Sequence, residues 1–230
     1  MKLTWLGHSG FRIEFGDQIL LLDPWLGNPL FPADRRAEAV AGATAILVSH
    51  GHFDHIADAP GIAKEFDIPV LGKYDLTAWL EARDGCKTVG FNNGGTVRLG
   101  DVAVTMVAAS HSSSFTGDTG PVYLGCPAGY MIEHAGRTIY FSGDTDVMAD
   151  MGVFQDLHTP EVGILSAGGH FTMDMKRAAY AARKFFQFRT IIPCHYRTFP
   201  ALEQNADALR AGLPPGVRVI EPQVMEPIEP

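Results

Sequence analysis

The chain has 230 residues, a length that suits one α/β domain or two small ones. Hydrophobic residues make up 46% and charged residues 19%, so the composition excludes a disordered chain and allows a large core. The net charge of −8 argues against nucleic acid as a partner, and no apolar run approaches the ~20 residues that a membrane-spanning helix needs.

Cysteine content and the first residues bear on the cellular compartment. The chain has three cysteines, an odd number, and none is arranged as a C-x-x-C pair. The sequence also opens directly into a predicted strand, without a charged and apolar leader. Both features predict reduced thiols and a cytoplasmic protein.

The first part of the chain predicts a β-meander that passes into alternating strands and helices. The predicted strands are Lys2–Trp5, Phe11–Phe15, Gln18–Leu22, Ala45–Val48 and 69–72. The predicted helices cover residues 34–40, 57–66 and 75–83. Residues 25–32 are rich in glycine, asparagine and proline but carry apolar side chains, which predicts a loop that forms a wall or cover of a pocket.

The rest of the chain predicts two hairpins and then a second alternation of strands and helices. The hairpin strands are Thr96–Leu99 with Val102–Ala108, and 129–133 with 138–142. Later strands are predicted at 162–165, 190–193 and 217–220, with helices at 174–186 and 203–211. A polar, glycine-rich loop is predicted at 112–127, and the tail at 221–230 is expected to pack loosely or to serve as a sheet edge. Because neither a repeat nor an interdomain linker interrupts this order, we expect one domain over residues 1–230.

One short segment concentrates groups that bind metals. His50, His52, Asp54 and His55 directly follow the apolar strand Ala45–Val48. Imidazole nitrogen and carboxylate oxygen are ligands of zinc, manganese and iron. Polar groups beside a core strand need partners, and four of them at the spacing H-x-H-x-D-H are hard to explain without an ion. The pattern therefore predicts a metal site on the loop after this strand.

Further candidate ligands follow apolar strands elsewhere in the sequence. His111, Asp144 and His195 each come just after a predicted strand, and Asp23 does too. In layered α/β folds such strand ends share one rim where ligands bind, so these side chains can converge although they are far apart in sequence. A catalytic ion usually takes three protein ligands and a structural ion four, so the number of candidate ligands indicates two metal ions.

These residues and several further motifs together resemble the metallo-β-lactamase superfamily. The further motifs lie at 5–9, 22–24, 111–114, 127–130, 169–173 and 195–200. They narrow the resemblance to bacterial metal-dependent hydrolases near the ascorbate-6-phosphate lactonase branch. The resemblance implies an α/β fold of four layers, an αββα sandwich in which helices flank two mixed β-sheets, with a metal site at one edge.

The resemblance also implies a division of the ligands between two divalent ions. The first ion would be held by His50, His52 and His111. The second would be held by Asp54, His55 and His195, with Asp144 as a bridge to both. The ions would be zinc or manganese, although nitrogen and oxygen ligands also accept iron and nickel. A hydroxide that bridges the two ions would then cleave a small ester, lactone or related substrate.

Four residues are candidates for supporting roles. Asp54 could orient the nucleophile or move a proton in addition to binding metal. Asp23 is expected to hydrogen-bond the ligand loop, although a carboxylate before Pro24 is also common in ordinary turns. His8 and His170 could contact substrate or donate a proton to the leaving group, and a structural role is the alternative for both.

Two other functions are open on the sequence alone. The same metals could serve a phosphodiesterase acting on a small phosphodiester, or a non-catalytic metal-binding protein could retain the fold. The acidic charge counts against nucleic acid but not against a small phosphodiester. Every ligand position is filled, which counts against the non-catalytic alternative. We expect a small-molecule substrate and neither a nucleic-acid nor a membrane partner, and the resemblance is compatible with a homo-oligomer.

Overall fold

Two large β-sheets form the frame of the molecule in the computed structural model, which describes residues 1–117 and 120–230. The first strands are β1 (Lys2–Trp5), β2 (Phe11–Phe15), β3 (Gln18–Leu22), β4 (Ala45–Val48), β5 (Val70–Lys73) and β6 (Thr88–Phe91). Next come β7 (Thr96–Leu99), β8 (Val102–Ala108), β9 (Ser114–Gly117), β10 (Gly120–Tyr123), β11 (Ala128–His134) and β12 (Arg137–Phe141). The last strands are β13 (Val162–Ser166), β14 (Thr190–Cys194), β15 (Arg218–Val219) and β16 (Pro227–Ile228).

Helices lie between these strands. They are α1 (Arg36–Val40), α2 (Phe53–Ile56), α3 (Ala59–Phe66), α4 (Tyr74–Asp84), α5 (Met151–His158), α6 (Met175–Phe185) and α7 (Asp207–Ala211), with a 3₁₀ turn at Ala33–Arg35. The N-terminus of α6 is capped because the Asp174 carboxylate accepts a hydrogen bond of 2.7 Å from the backbone N–H of Arg177. In the part of the chain that the structure describes, no helix has the length and apolar character needed to cross a membrane.

Each large sheet is antiparallel on one side and parallel on the other. The first sheet has the order β16-β1-β2-β3-β4-β5-β6, with parallel pairing from β3 to β6. The second has the order β15-β14-β13-β12-β11-β8-β7, with parallel pairing from β12 to β15. Parallel strands of one sheet end at the same edge, so the loops that follow β12 and β14 can present side chains to one site.

The apolar faces of the two sheets pack against each other and form the main core. Phe11 and Ile13 of β2 belong to the same buried cluster as Val104 of β8 and Ile132 of β11. This packing joins the sheets face to face, with side chains of both inner faces interdigitated. The predicted αββα sandwich is confirmed.

A second core lies between the first sheet and its helices. Ile46 of β4 packs there with Ile62 of α3 and with Leu80 of α4. All four residues of β4 are buried, as expected for a parallel strand covered on both faces. The strand that precedes the predicted metal loop is therefore fixed by packing on both sides.

Several element boundaries differ from the prediction. The sequence did not indicate β6, α5 or the β9–β10 hairpin, the last of which lies within the loop predicted at 112–127, and residues 118 and 119 of that loop lie outside the described residues. The helix predicted at 57–66 is α3, which begins two residues later, and the short helix α2 before it was not predicted. Helix α7 begins four residues later than predicted. The tail does form a sheet edge, because β16 pairs with β1.

Candidate metal centre

The carboxylate of Asp23 holds the loop between β4 and α2 in place through hydrogen bonds. This carboxylate accepts hydrogen bonds from the backbone N–H of Ser49 (2.7 Å) and from its hydroxyl (2.6 Å). It also accepts one of 2.7 Å from Nδ1 of His55, while the Ser49 oxygen lies 2.9 Å from Nδ1 of His50. With both Nδ1 atoms engaged, Nε2 of His50 and of His55 face the centre, as metal-binding imidazoles require.

Three imidazoles form the first group of potential ligands. Nitrogens of His50, His52 and His111 all lie within 4.8 Å of one another. Nε2 of His50 is 2.9 Å from Nδ1 of His52, so the two ring nitrogens point at the same space. Burial lowers the pKa of all three side chains, and that of His50 falls well below the usual value. The group is therefore neutral and keeps lone pairs for a cation.

A second group lies beside the first, and one carboxylate stands between them. Asp54, His55 and His195 place ligand atoms within 4.8 Å of one another. Oδ2 of Asp144 is 3.0 Å from Nε2 of His195 and 3.4 Å from Nε2 of His55. The same oxygen is 3.7 Å from Nε2 of His111, which belongs to the first group. The structure thus brings together all seven residues that the sequence nominated as ligands.

Buried polar atoms without partners mark the space between the two groups. In the described part of the chain, Oδ1 of Asp144 and Nε2 of His55 are buried without a hydrogen bond. Such atoms are costly in a protein interior unless an ion or water satisfies them. The donor set of imidazole nitrogen and carboxylate oxygen suits zinc, manganese, iron and nickel. The residues present therefore fit divalent cations.

The electrostatics of the second group also favour cations. Burial opposes a charged His195, but Asp144 and Asp54 outweigh it and raise the pKa of His195 to about 9. In the same way burial opposes a charged His55, whereas Asp144, Asp23 and Asp54 raise its pKa well above the usual value. Although burial favours the neutral acid, His195 and His55 hold the pKa of Asp144 well below its usual range. In the absence of metal, protonated His55 and His195 supply the positive charge that compensates these carboxylates.

The two groups are expected to take up metal with different pH dependence. A protonated imidazole cannot bind a cation, so the second group gains affinity as the pH rises towards the raised pKa of His195, about 9. The histidines of the first group are already neutral, so their affinity changes little above about pH 7. Competition with a chelator at several pH values measures both affinities. If the two equivalents of zinc showed the same pH dependence, this assignment of charge would be wrong.

His8 supports Asp54 instead of contacting substrate. It is 0% exposed, and Nε2 lies 2.9 Å from Oδ2 of Asp54. Nδ1 lies 2.8 Å from the hydroxyl of Thr198. Burial lowers the pKa of His8 to about 4, so the ring is neutral; Nε2–H donates to the carboxylate, and Nδ1 accepts from Thr198. The expectation that His8 touches substrate is thus corrected, since both ring nitrogens are engaged beneath the site.

Removing this support should weaken the second group selectively. We expect His8→Ala to lower the affinity for the second zinc equivalent by roughly 10- to 100-fold, the range typical for groups that orient a ligand. Thr198→Val, which lacks the hydroxyl, should have a smaller effect of the same kind, and Thr198→Ser should bind like the original chain. Chelator competition measures these affinities. A loss of both equivalents together would indicate a general structural defect.

The backbone is strained at three of these residues. His8, Asp23 and His195 have φ angles of 50°, 41° and 56°, in the left-handed region that residues other than glycine rarely adopt. Such strain costs on the order of 1 kcal/mol or more per residue and is concentrated at functional sites. A backbone hydrogen bond of 3.0 Å from the N–H of His195 to the carbonyl of His8 joins two of the strained residues.

Glycines beside the ligands allow the loops to approach closely. Gly143 precedes Asp144 with a φ of 56°, and a Cβ there would collide with the carbonyl oxygen of Ala128. Gly168 packs so tightly on the backbone of His195 that a Cβ would overlap its carbonyl oxygen. Both ligand loops therefore depend on residues without a side chain.

A cavity of about 820 Å³ opens above the ligands. His170 is exposed on its wall, where a contact with substrate is feasible, and its catalytic role stays a prediction. The loop at 25–32 does not line this cavity: Leu26 and Phe31 are buried in the core of the first sheet. That loop was expected to form a wall or cover of a pocket. It forms neither, because Leu26 and Phe31 point into the core and Trp25 packs behind the wall residues Phe53 and Phe199.

Sequence reasoning missed several residues of the site. Thr198, which holds His8, lies in the motif at 195–200, but nothing in the pattern showed the contact. Four phenylalanines of the cavity wall were also missed: Phe53, Phe115, Phe171 and Phe199. Phenylalanine is most often a core residue, so its type alone gives no signal for a cavity.

Comparison with protein families and with curated sequences gives consistent matches. Residues 18–196 match the family described as beta-lactamase superfamily domain. A UPF0173 metal-dependent hydrolase of Cereibacter sphaeroides (strain KD131) is 66% identical over 230 residues, which cover 100% of both chains.

Solved structures with the same architecture include proteins of archaea and bacteria. The metallo hydrolase Igni18 of Ignicoccus hospitalis superposes with a TM-score of 0.83 at 30% identity, covering 99% of this chain and 98% of the other. The metallo-beta-lactamase fold protein YhfI of Bacillus subtilis superposes with a TM-score of 0.73 at 17% identity, covering 97% of each chain. The names of these relatives do not specify the ascorbate-6-phosphate lactonase branch, which stays a prediction.

Proposed function

Since the chain belongs to the metallo-β-lactamase superfamily, we propose that it hydrolyses a small ester, lactone or related carbonyl substrate. The chain is a metal-dependent hydrolase. The relatives' names do not specify a carbonyl substrate, which we propose from the site. The observation that carries the proposal is the position of Asp144, between two groups of ligands at the floor of a cavity of about 820 Å³. A cavity of this size suits a small molecule.

We propose that the ligand residues divide between two cations, as the resemblance implies. One cation would be held by His50, His52 and His111, and the other by Asp54, His55 and His195. Asp144 would serve both, and zinc or manganese suits these donors, with iron and nickel as alternatives. Divalent cations bound there supply Lewis-acid polarisation and lower the pKa of water towards neutrality.

Side chains at the cavity floor and wall would orient the reactants. Although burial disfavours its charge, His55, His195 and His8 hold the pKa of Asp54 well below its usual range, so the carboxylate is ionised at neutral pH. An ionised Asp54 can hold a water by accepting its hydrogen bond. His170, which lies on the cavity wall, would give a proton to the leaving oxygen.

The choice of carbonyl over phosphoryl chemistry rests on the cavity wall. Among the described residues that line the cavity there is neither lysine nor arginine, the side chains that most often bind phosphate groups. A small phosphodiester is the alternative, and it would have to rely on the metal ions alone.

A substrate panel tests this proposal. The protein loaded with zinc or with manganese is assayed with δ-valerolactone, simple methyl esters and bis(4-nitrophenyl) phosphate. We expect hydrolysis of a lactone or ester that disappears on chelation and returns on reloading, with a lower kcat/KM for the phosphodiester. Turnover of the phosphodiester alone would assign phosphodiesterase activity instead, and no turnover of any compound would reject the proposal.

A further inference from the structure

Four phenylalanine side chains from separate parts of the chain surround the cavity. Phe53 comes from α2, Phe115 from β9, Phe171 from the loop after β13, and Phe199 from the loop after β14. Phe53 and Phe171 are each 57% exposed, an unusual state for such large apolar rings. Exposed apolar surface that is gathered in one concave place indicates a binding site for an apolar group.

Three of the four rings pack against residues outside the cavity. Trp25 supports two of them, with ring centroids 5.4 Å from Phe53 and 6.1 Å from Phe199. Phe115 packs on α4, where its centroid is 5.0 Å from that of Trp79. The guanidinium of Arg83 lies 4.7 Å from the centre of the same ring. This part of the wall is therefore preformed, so little ordering of these three rings would oppose binding.

The remaining wall residues limit the charge of a bound molecule. Ser112, Ser114 and Thr116 contribute neutral hydroxyl groups, and no lysine or arginine is present among the described residues of the wall. A carboxylate or phosphate held away from the metals and from His170 would lie against aromatic rings without a cationic partner, which is unfavourable. A neutral group is the better fit.

We propose that the substrate is a neutral ester or lactone with a ring-sized apolar group, which packs among these four phenylalanines while the carbonyl reaches the metal ligands. This inference rests on the proposed function, because it assumes that the reacting bond lies at Asp144 and its neighbours. The aromatic wall would then select the substrate, and the histidines and carboxylates at the cavity floor would carry out the reaction.

Three methyl esters with the same leaving group test the inference. The metal-loaded protein is assayed with methyl acetate, methyl 3-phenylpropanoate and monomethyl succinate. We expect kcat/KM for the phenyl ester to exceed that for the acetate by roughly 10- to 100-fold, the gain from burying one aromatic ring. Monomethyl succinate carries a carboxylate remote from the ester, so its kcat/KM should be lower than that of the phenyl ester and should not exceed that of methyl acetate. Equal values for the phenyl ester and the acetate, or a preference for the succinate, would overturn the inference.

Variants locate the preference in the wall. Phe171→Ala and Phe115→Ala should each lower the ratio of phenyl ester to acetate by roughly 3- to 10-fold. Leu157→Ala is the matched control, because Leu157 is an exposed apolar residue of α5 outside this cavity. That control should keep the ratio. A ratio that stays constant in both phenylalanine variants would contradict the inference.

A binding measurement separates this inference from the proposed reaction. Saturation-transfer NMR compares 3-phenylpropan-1-ol with propan-1-ol, neither of which has a bond to hydrolyse. We expect saturation transfer from the protein to the phenyl ring of 3-phenylpropan-1-ol. This transfer should be lost in Phe171→Ala and kept in Leu157→Ala. If this pattern appears while no ester is hydrolysed, the reaction is wrong and the apolar site stands. If esters are hydrolysed while the ring makes no contact, the apolar site is wrong and the reaction stands.

Discussion

Asp144→Asn is expected to abolish hydrolysis, because Asp144 is the only carboxylate among the described residues that lies within 4 Å of imidazoles from both ligand groups. The asparagine amide has no negative charge, and its NH2 group would place a hydrogen-bond donor where one of the two ligand groups needs a carboxylate oxygen. We expect kcat/KM to fall by roughly a thousandfold or more, beyond the 10- to 100-fold typical of groups that only support a ligand. Elemental analysis should find at most one metal equivalent per chain.

Asp146→Asn is the matched control for this variant. Asp146 lies two positions away in sequence, but its carboxylate is on the surface, 3.0 Å from Nε of Arg177. The control should retain both the metal content and the activity of the original chain. Thermal unfolding with metal present establishes that Asp144→Asn is folded, and a folded variant with full metal content and turnover would refute the bridging role.

His52→Ala is expected to remove activity while leaving the fold intact. His52 is partly exposed, and among the described residues its ring nitrogens contact His50 (2.9 Å) and Ser112 (3.3 Å) alone. Substitutions of this kind, outside the core, change the free energy of unfolding by less than about 1 kcal/mol. The first group would lose one of its three ligands, so its metal affinity and the hydrolysis should both fall by roughly 100-fold or more.

Circular dichroism, thermal unfolding and metal analysis check this variant together. His134→Ala is the control, because His134 lies at the end of β11, next to the hairpin turn and away from the cavity. It should match the original chain in metal content and turnover. Full hydrolysis by His52→Ala would exclude His52 as a functional ligand. Loss of the circular dichroism signal would show that His52 also stabilises the fold.

The sequence was most informative where an apolar strand ends in a polar residue. Asp144 and His195 follow β12 and β14, and their side chains meet at 3.0 Å although the residues are about fifty positions apart. This convergence was predictable because parallel strands of one sheet end at a common edge. The loop after β4 reaches the same place, since the two sheets pack face to face and bring their edges together.

The parts that escaped prediction depend on contacts between distant segments. The β9–β10 hairpin lies outside both large sheets, and its polar and glycine-rich strands show no clear alternation. Its position depends partly on Phe115 packing against α4, a contact that no local pattern encodes. The bond between His8 and Thr198 spans 190 positions, so sequence could nominate the histidine but not the partner that faces it.

Anomalous diffraction at the zinc edge, from crystals grown with zinc, tests the two-metal centre most directly. Two peaks are expected, one beside His50, His52 and His111 and the other beside Asp54, His55 and His195, with Asp144 in contact with both. The absence of any peak at these residues, or a single peak on surface carboxylates, would contradict the assignment.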